Sequence, residues 1–222
     1  LYRILFWTFC MVAKNSGCRP NEVSSLRWKD VEFENIGRAD SKGEKVDKFI
    51  VHIFIRSSKT RAQHEVPCNV ANRLMKWKLY LDKYCDTHSL PTVKRIDYIF
   101  SNPHKGFQPI TSQSLWRTWK EMRTELEPKF KGHEFSDRPY TMYSMRSTYI
   151  EDNLIKGTDI FLLSRLCGHS VQMLIKYYER MDIRKRSRVI TDIEYGTNRD
   201  RLKVIDMFDQ PAPHTRPSPE IP

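Results

Sequence analysis

The chain has 222 residues, of which 39% are hydrophobic and 12% aromatic, and this composition excludes a short peptide and a disordered polybasic protein. Its 38 Lys and Arg residues against 27 Asp and Glu residues give a net charge of +11, which fits either a polyanionic partner such as nucleic acid or a solvated basic surface. The longest uncharged apolar run near the start, residues 4–13, is shorter than the roughly 20 residues that span a bilayer, so no membrane span is predicted.

The first third of the chain predicts two helices and a small antiparallel sheet. An apolar segment over residues 1–15 predicts a buried helix that closes at Gly17, and Pro20 opens a second helix that runs to about Trp28. Strands are expected over three ranges, with a polar hairpin carrying Lys59 between the last two. These ranges are 31–33, 48–56 and 65–66.

The middle of the chain predicts two more helices. Asn69 is expected to cap a helix over residues 69–84, and a second helix is expected over residues 111–125. In the second helix, Leu115, Trp116 and Trp119 are interpreted as one buried stripe. Residues 99–100 between these helices are typical of a short strand.

Three closely spaced helices follow a polar stretch, and each is expected to begin at a side-chain cap. Thr141 caps a helix that ends at Gly157, Asp159 caps one that ends at Gly168, and Ser170 caps one that runs past Tyr178. Five prolines from Gln210 onward predict a disordered tail over residues 210–222.

The five cysteines include no close pair with metal-ligand spacing, so the sequence predicts neither a disulfide framework nor a zinc module. A reducing, cytoplasmic location is expected on this basis. The chain begins at Leu1 within a predicted helix rather than at Met, which indicates a fragment of a longer protein.

Four distant segments each carry a group suited to holding or attacking a phosphodiester. They are Gly17-Cys18-Arg19-Pro20-Asn21-Glu22, Lys59 in the hairpin, Tyr143-Ser144-Met145-Arg146, and Gly168-His169-Ser170 followed by Tyr178. Taken singly, each has an ordinary structural explanation. Arg19 can pair with Glu22, Lys59 can be solvated, and Tyr143 can belong to the core. Cys167 and His169 also suggest a thiol nucleophile with its base, but sequence neighbours rarely face one another.

The order and spacing of the four segments resemble the catalytic domain of the tyrosine recombinases, the phage integrase family. The resemblance covers most of residues 1–182 and implies a mainly helical (α+β) catalytic domain with a small antiparallel sheet. Residues 17–31 are similar to the family's first box, and Ser58-Lys59-Thr60 matches its hairpin lysine. Leu166-Cys167-Gly168-His169-Ser170 with Tyr178 is similar to its final box.

The resemblance implies a site-specific recombinase that cleaves and rejoins DNA through a 3′-phosphotyrosyl intermediate, with no metal, cofactor or ATP. It assigns Tyr178 as the nucleophile, Arg19 and Arg146 as phosphate ligands, Lys59 as the acid for the leaving 5′ oxygen, and His169 as a phosphate or nucleophile partner. On a single straight helix His169 and Tyr178 lie on opposite faces, so the segment must bend or break. Tyr177 is adjacent, and only the family spacing selects Tyr178.

One catalytic position departs from the family pattern. The family usually has His three residues before its second Arg, and this chain has Tyr143 there. A phenol with a pKa near 10 is a poor base at neutral pH, so altered or reduced proton transfer is expected. Two alternatives follow: a DNA-binding or assembly module of the same fold, and an enzyme that relaxes DNA in the manner of type IB topoisomerases.

The resemblance also implies partners. Double-stranded DNA is the expected substrate, and a homo-oligomer, a tetramer on DNA, is the expected assembly. The predicted DNA contacts are Arg19, Lys59, Arg146, Arg180, Arg184, Lys185 and Arg186. The basic run after residue 180 can equally solvate a helix. Residues 183–209 are a candidate docking segment, in cis or in trans, and the N-terminal DNA-clamping domain usual in the family is not recognised in this sequence.

Overall fold

The computed structural model describes residues 1–39, 45–56, 63–129 and 140–179, all within one compact unit. The helices in these ranges are α1 (Tyr2–Ser16), α2 (Pro20–Ser24), α3 (Ala71–Thr87), α4 (Ser112–Leu126), α5 (Ser144–Ile155), α6 (Ile160–Cys167) and α7 (Val171–Glu179). The strands are β1 (Val31–Asn35), β2 (Arg38–Ala39), β3 (Lys45–Val46), β4 (Phe49–Ile55), β5 (His64–Cys68), β6 (Ser101–Asn102) and β7 (Gln108–Pro109). The predicted fold class, mainly helical with a small antiparallel sheet, is confirmed. No helix in the described part of the chain is long and apolar enough to cross a membrane.

The main sheet has the antiparallel order β1-β4-β5. Its central strand alternates as predicted, since Val51, Ile53 and Ile55 are buried while the residues between them are only partly covered. All three predicted strands form, and β1 and β5 are each longer than predicted. Strand β2 pairs with β3, and β6 pairs with β7. Strands β2, β3 and β7 have two residues each, which is too few to show the alternating pattern that predicts a strand.

Helix α1 is buried on one face rather than all round. Leu5, Phe9 and Val12 are fully buried, whereas Ile4 and Trp7 are exposed. Trp7 carries the guanidinium of Arg73 over its ring, 3.8 Å from the centroid. The prediction of a fully buried helix is therefore wrong, because an aromatic ring can remain at the surface when a cation covers it.

Helix α2 is shorter than predicted. It ends at Ser24, and residues Trp28–Asp30 form a separate 3₁₀ turn. Arg27 adopts an extended backbone and forms a β-bridge with Tyr98, and the Leu26 carbonyl accepts a hydrogen bond from the Ile99 amide at 2.9 Å. Tertiary pairing with residues 97–99 thus replaces the helical hydrogen bonds. The strand expected at residues 99–100 forms two residues later, as β6.

The predicted caps are partly confirmed. The Asp159 carboxylate accepts the Leu162 amide at 2.8 Å, and the Ser170 hydroxyl accepts the Met173 amide at 3.3 Å. The Thr111 hydroxyl accepts the Ser114 amide at 3.2 Å, a cap that was not predicted. The other two predicted caps, Asn69 and Thr141, were wrong. Helix α3 begins after Val70, so Asn69 lies one residue too early, and α5 begins only at Ser144, after a turn that contains Thr141.

The predicted stripe on α4 is only partly buried. Leu115 and Trp119 are buried, but half of the Trp116 surface is exposed. Residues 115 and 116 are neighbours in sequence and therefore point about 100° apart around the helix, so both cannot face the core.

The packing of three helices brings together the ends that matter for the candidate site. Helix α5 contacts both α1 and α6, and α6 in turn contacts β5 and α7. Lys14 of α1 and Asp152 of α5 form an ion pair at 3.5 Å. The C-terminal end of α1, the first turn of α5 and the C-terminal end of α6 therefore meet within the described structure.

Candidate active site

The turn that carries Arg19 is built from a left-handed glycine and a proline. Gly17 closes α1 with φ +64°, and its amide bonds the Ala13 carbonyl at 3.2 Å. Arg19 then stands at the N-cap of α2 with an extended backbone, and Pro20 occupies the first helical position, where its missing N–H is tolerated. This sequence of conformations sets the direction in which the Arg19 side chain leaves the backbone.

Arg19 pairs with Glu22, as one of the structural explanations predicted. Its guanidinium Nη1 lies 3.2 Å from the Glu22 carboxylate, and the Arg19 amide donates to the same carboxylate at 2.7 Å. The side chain remains one-third exposed. The Arg19 amide at the start of the five-residue helix α2 is thus already bonded to Glu22.

Arg146 connects the two other ends of the candidate site. Only 4% of its surface is exposed, although it carries a permanent charge. Its Nη1 donates to the Gly17 carbonyl and its Nη2 donates to the Cys167 carbonyl. Gly17 lies two residues before Arg19, and Cys167 lies two residues before His169. One guanidinium therefore holds the Arg19 turn and the His169 turn against the start of α5.

His169 lies in the turn between α6 and α7 and not on a helix. Gly168 ends α6 with φ +58°, and Ser164 donates its hydroxyl to the His169 carbonyl at 2.6 Å. Helix α7 begins only at Val171. The argument that His169 and Tyr178 occupy opposite faces of one helix does not apply, because His169 precedes α7 and only Tyr178 lies on that helix.

The remaining predicted residues divide into two groups. Tyr143 is described and is 53% exposed, so the interpretation of it as a core residue is wrong; its carbonyl accepts the Arg146 amide at 3.0 Å. The Tyr178 backbone lies in α7, but its side chain and that of Tyr177 lie outside the described residues. Outside the described residues also lie Lys59, Arg180, Arg184, Lys185, Arg186 and the segments 183–209 and 210–222.

Two features of this site were not anticipated from the sequence. The Arg146 guanidinium binds backbone carbonyls that no residue type reveals, and the ring of Tyr149 covers Gly17 so closely that a Cβ at residue 17 would overlap it. Burial raises the pKa of the Tyr149 phenol, with the thiols of Cys167, Cys68 and Cys18 adding to the effect. The sequence contained one signal that Arg146 and Tyr149 act at the same place: they are three residues apart, which puts both on one face of α5.

The chemistry of the site rests on fixed positive charge. Arg19 and Arg146 stay protonated at any physiological pH, and their planar forks match phosphate oxygens. Cys167 is completely buried, which argues against the thiol nucleophile considered from the sequence. Among residues 1–39, 45–56, 63–129 and 140–179, no group of three or more His, Cys, Asp or Glu side chains is arranged to hold a metal ion.

A family comparison covers most of this structure. The model of the phage integrase family matches residues 5–184, which include the Arg19 turn, Arg146, His169 and Tyr178. The chain belongs to the phage integrase family. No curated protein matches this chain in sequence.

Solved structures of recombinases share the fold of this family member. The XerH site-specific recombinase bound to difH substrate in a pre-cleavage complex is 17% identical with a TM-score of 0.55, and the comparison covers 85% of this chain and 46% of XerH. The Tn1549 transposon integrase in complex with transposon right end DNA is 15% identical with a TM-score of 0.54, covering 84% and 57%. XerA recombinase is 18% identical with a TM-score of 0.53, covering 86% and 60%. The chain thus spans about half the length of these proteins.

Proposed function

We propose that this chain contains the catalytic part of a site-specific DNA recombinase that forms a 3′-phosphotyrosyl intermediate. The observation that carries the proposal is the bridging guanidinium of Arg146, which ties the turn of Arg19 to the turn of His169. Arg146 is 129 residues from Gly17 and 21 residues from Cys167 in sequence, so three separate segments meet at one place. The family membership and the DNA complexes formed by XerH and the Tn1549 integrase support the same conclusion.

In the proposed reaction the phenol oxygen of Tyr178 attacks the scissile phosphorus, and the bond to the 5′ oxygen breaks. Arg19 and Arg146 bind the non-bridging oxygens as negative charge grows on them in the transition state. The two carbonyl bonds fix the plane of the Arg146 guanidinium before DNA binds, so little reorganisation is needed during the reaction. The phosphotyrosyl bond conserves the energy of the broken bond, and rejoining needs no ATP.

Proton transfer in this proposal involves Lys59, His169 and Tyr143. Lys59 gives a proton to the leaving 5′ oxygen, and His169 donates a hydrogen bond to the phosphate or assists Tyr178. Tyr143 stands where the family usually has His, and its exposure leaves its phenol accessible to a bound substrate. Because a phenol accepts a proton poorly at neutral pH, cleavage should be slower than in members that have His there.

A second candidate function is a DNA-binding or assembly module without catalysis. The observation that favours it is again Tyr143, which replaces the usual base. Both candidates predict that DNA binding weakens as salt rises, because Lys and Arg contacts release counterions from the phosphates. We include Arg180, Arg184, Lys185 and Arg186 among the proposed DNA contacts, and a tetramer on DNA as the proposed assembly.

The experiment that separates these candidates is a covalent trapping assay. The probe is a pool of duplexes with randomised flanks and a nick next to one fixed phosphate, incubated in EDTA without ATP. The proposal predicts an adduct that survives denaturation and is lost in Tyr178→Phe, whereas Tyr177→Phe retains it. Salt-dependent binding with no adduct from the wild-type chain would support the binding module instead.

A further inference from the structure

A cleft beside the Arg19 turn contains a cation that the proposed mechanism does not use. The cleft runs between α2 and the end of β4. Its polar and charged lining residues are Asn21, Glu22, Ser25, Asp30, Arg56 and Tyr98. Glu22 is the partner of Arg19, so the cleft adjoins the candidate active site.

Arg56 and Asp30 form the best-defined side-chain ion pair of this cleft. The Nη2 atom of Arg56 lies 2.6 Å from Oδ2 and 2.8 Å from Oδ1 of Asp30, and the Arg56 Nε lies 3.3 Å from Oδ1. Several donors of one guanidinium on one carboxylate fix the relative orientation of the two groups as well as their distance.

The Asp30 carboxylate is buried and has a hydrogen-bond partner besides Arg56. Only 9% of its side chain is exposed, and its carboxylate also accepts the Arg27 amide at 2.9 Å. A buried carboxylate is strongly destabilising without a cation, which favours the ion pair although half of the Arg56 side chain is exposed. Asp30 is the last residue before β1, a few residues after the helix that Arg19 opens.

Arg56 is the first residue after β4 and stands three residues before Lys59. Three residues of extended chain span at most about 11 Å, so an anchor at residue 56 limits the volume that Lys59 can reach. The pairing of Val31 with Ile53 already joins β1 to β4, and the ion pair extends this connection past the end of the strand.

We propose that Asp30 and Arg56 are positioning residues for Lys59. They hold the start of the hairpin that carries Lys59 against the residues that follow the Arg19 turn. The inference rests on the proposed function. In the step concerned, the phenol oxygen of Tyr178 bonds to phosphorus while its proton passes to solvent. The breaking P–O bond leaves its electron pair on the 5′ oxygen, which takes a proton from the Lys59 ammonium. Neither Asp30 nor Arg56 exchanges a proton.

A sulfur-substituted substrate tests this role. The probe is a pool of randomised-flank duplexes with either oxygen or sulfur at the 5′ bridging position of one fixed phosphate. A thiolate leaves readily without protonation because the pKa of a thiol is near 8.5. A variant that has lost only the positioned acid therefore cleaves the sulfur substrate well and the oxygen substrate poorly. A general folding or binding defect lowers both.

We expect Arg56→Gln and Asp30→Asn to lower the rate on the oxygen substrate about 10- to 100-fold, the usual cost of a small misplacement. On the sulfur substrate both variants should remain within about threefold of wild type, as should Lys59→Ala. The control is Lys78→Gln, which breaks the Lys78–Asp82 pair on α3 at 2.7 Å and should change neither rate. Arg56→Lys keeps the positive charge but lacks the planar guanidinium. It should lose less of the rate on the oxygen substrate than Arg56→Gln and remain near wild type on the sulfur substrate.

The possible results separate the inference from the proposed function. Equal losses on both substrates in folded Arg56→Gln, or no loss on either, would overturn the positioning role while leaving the recombinase proposal intact. If Arg56→Gln fails to fold, the positioning role is tested by the ratio of the oxygen-substrate rate to the sulfur-substrate rate in Arg56→Lys and Asp30→Asn. If the wild-type chain cleaves neither substrate, the proposed function fails and the positioning role fails with it.

Discussion

Arg19 and Arg146 are both proposed phosphate ligands, but the structure gives them different structural roles. Arg146 is buried on two carbonyls, so Arg146→Gln should lower the free energy of unfolding by about 2–4 kcal/mol, since both carbonyls lose a charged donor. Arg19 is partly exposed and pairs with its own neighbour, so Arg19→Gln should cost less than about 1 kcal/mol. Urea denaturation measures both values.

The same two variants should resemble each other in the cleavage assay. Each removes one preorganised donor, so adduct formation should fall about 100- to 1,000-fold in both. Arg19→Gln thus separates activity from stability. An Arg146→Gln protein that is as stable as wild type would show that the two carbonyl bonds do not hold the site together.

Gly17 is a second residue on which the site depends. It has φ +64°, and a Cβ there would overlap the ring of Tyr149. Gly106 has nearly the same φ, +60°, but open space around the position of a Cβ. Gly106→Ala should therefore show only the backbone cost of about 1 kcal/mol, and Gly17→Ala should cost at least about 1 kcal/mol more because of the clash. Equal destabilisation in thermal unfolding would contradict the tight contact between Tyr149 and Gly17.

At the scale of elements, the outer face of the sheet contains a histidine between two carboxylates. The His52 ring contacts Glu34 of β1 at 2.7 Å through Nε2 and Glu65 of β5 through Nδ1, and Glu32 lies directly across in register. The Glu34 hydrogen bond is the largest effect and raises the pKa of His52; burial opposes it, and the Glu65 hydrogen bond raises the pKa further. The imidazolium can donate both hydrogen bonds, whereas neutral imidazole has a single N–H to donate.

This arrangement should make the stability of the sheet depend on pH. Because the pKa of His52 is higher in the folded state, its contribution is complete below about pH 6.5, the unfolded value, and is lost as the pH rises through the folded value. We expect wild type to exceed His52→Gln in unfolding free energy by about 0.5–1 kcal/mol at pH 6 and by little at pH 9. His88→Gln, at the exposed end of α3, is the control. A difference that does not change between these pH values would contradict this account.

Most elements were predictable because local patterns specify them. The alternation in β4 and the capping residue Asp159 are local signals, and both gave the observed structure. The end of α2 was not predictable, because hydrogen bonds to residues 97–99 replaced the helix there. Trp116 was placed on one stripe with Leu115 and Trp119, and Trp7 belongs to a helix that was predicted to be buried, yet both lie at the surface, where a cation covers Trp7.

For the whole molecule, the order of motifs predicted the family correctly, and the family match over residues 5–184 confirms it. The sequence could not predict how the motifs are connected. Nothing in a list of residue types indicates that Arg146 binds the carbonyls of Gly17 and Cys167, because backbone acceptors are present at every position. The catalytic assignments of Arg19, Lys59, Tyr143, Arg146, His169 and Tyr178 remain predictions.

We expect the guanidiniums of Arg19 and Arg146 to bind one phosphate that Tyr178 attacks. Mass spectrometry of the trapped protein–DNA adduct after digestion tests this reaction. It should detect a single modified peptide with the 3′ phosphate of the cleaved strand on Tyr178 and a free 5′ hydroxyl on the released strand. Attachment at Tyr143, at Tyr177 or at a cysteine, or a 5′ phosphate on the released strand, would contradict it.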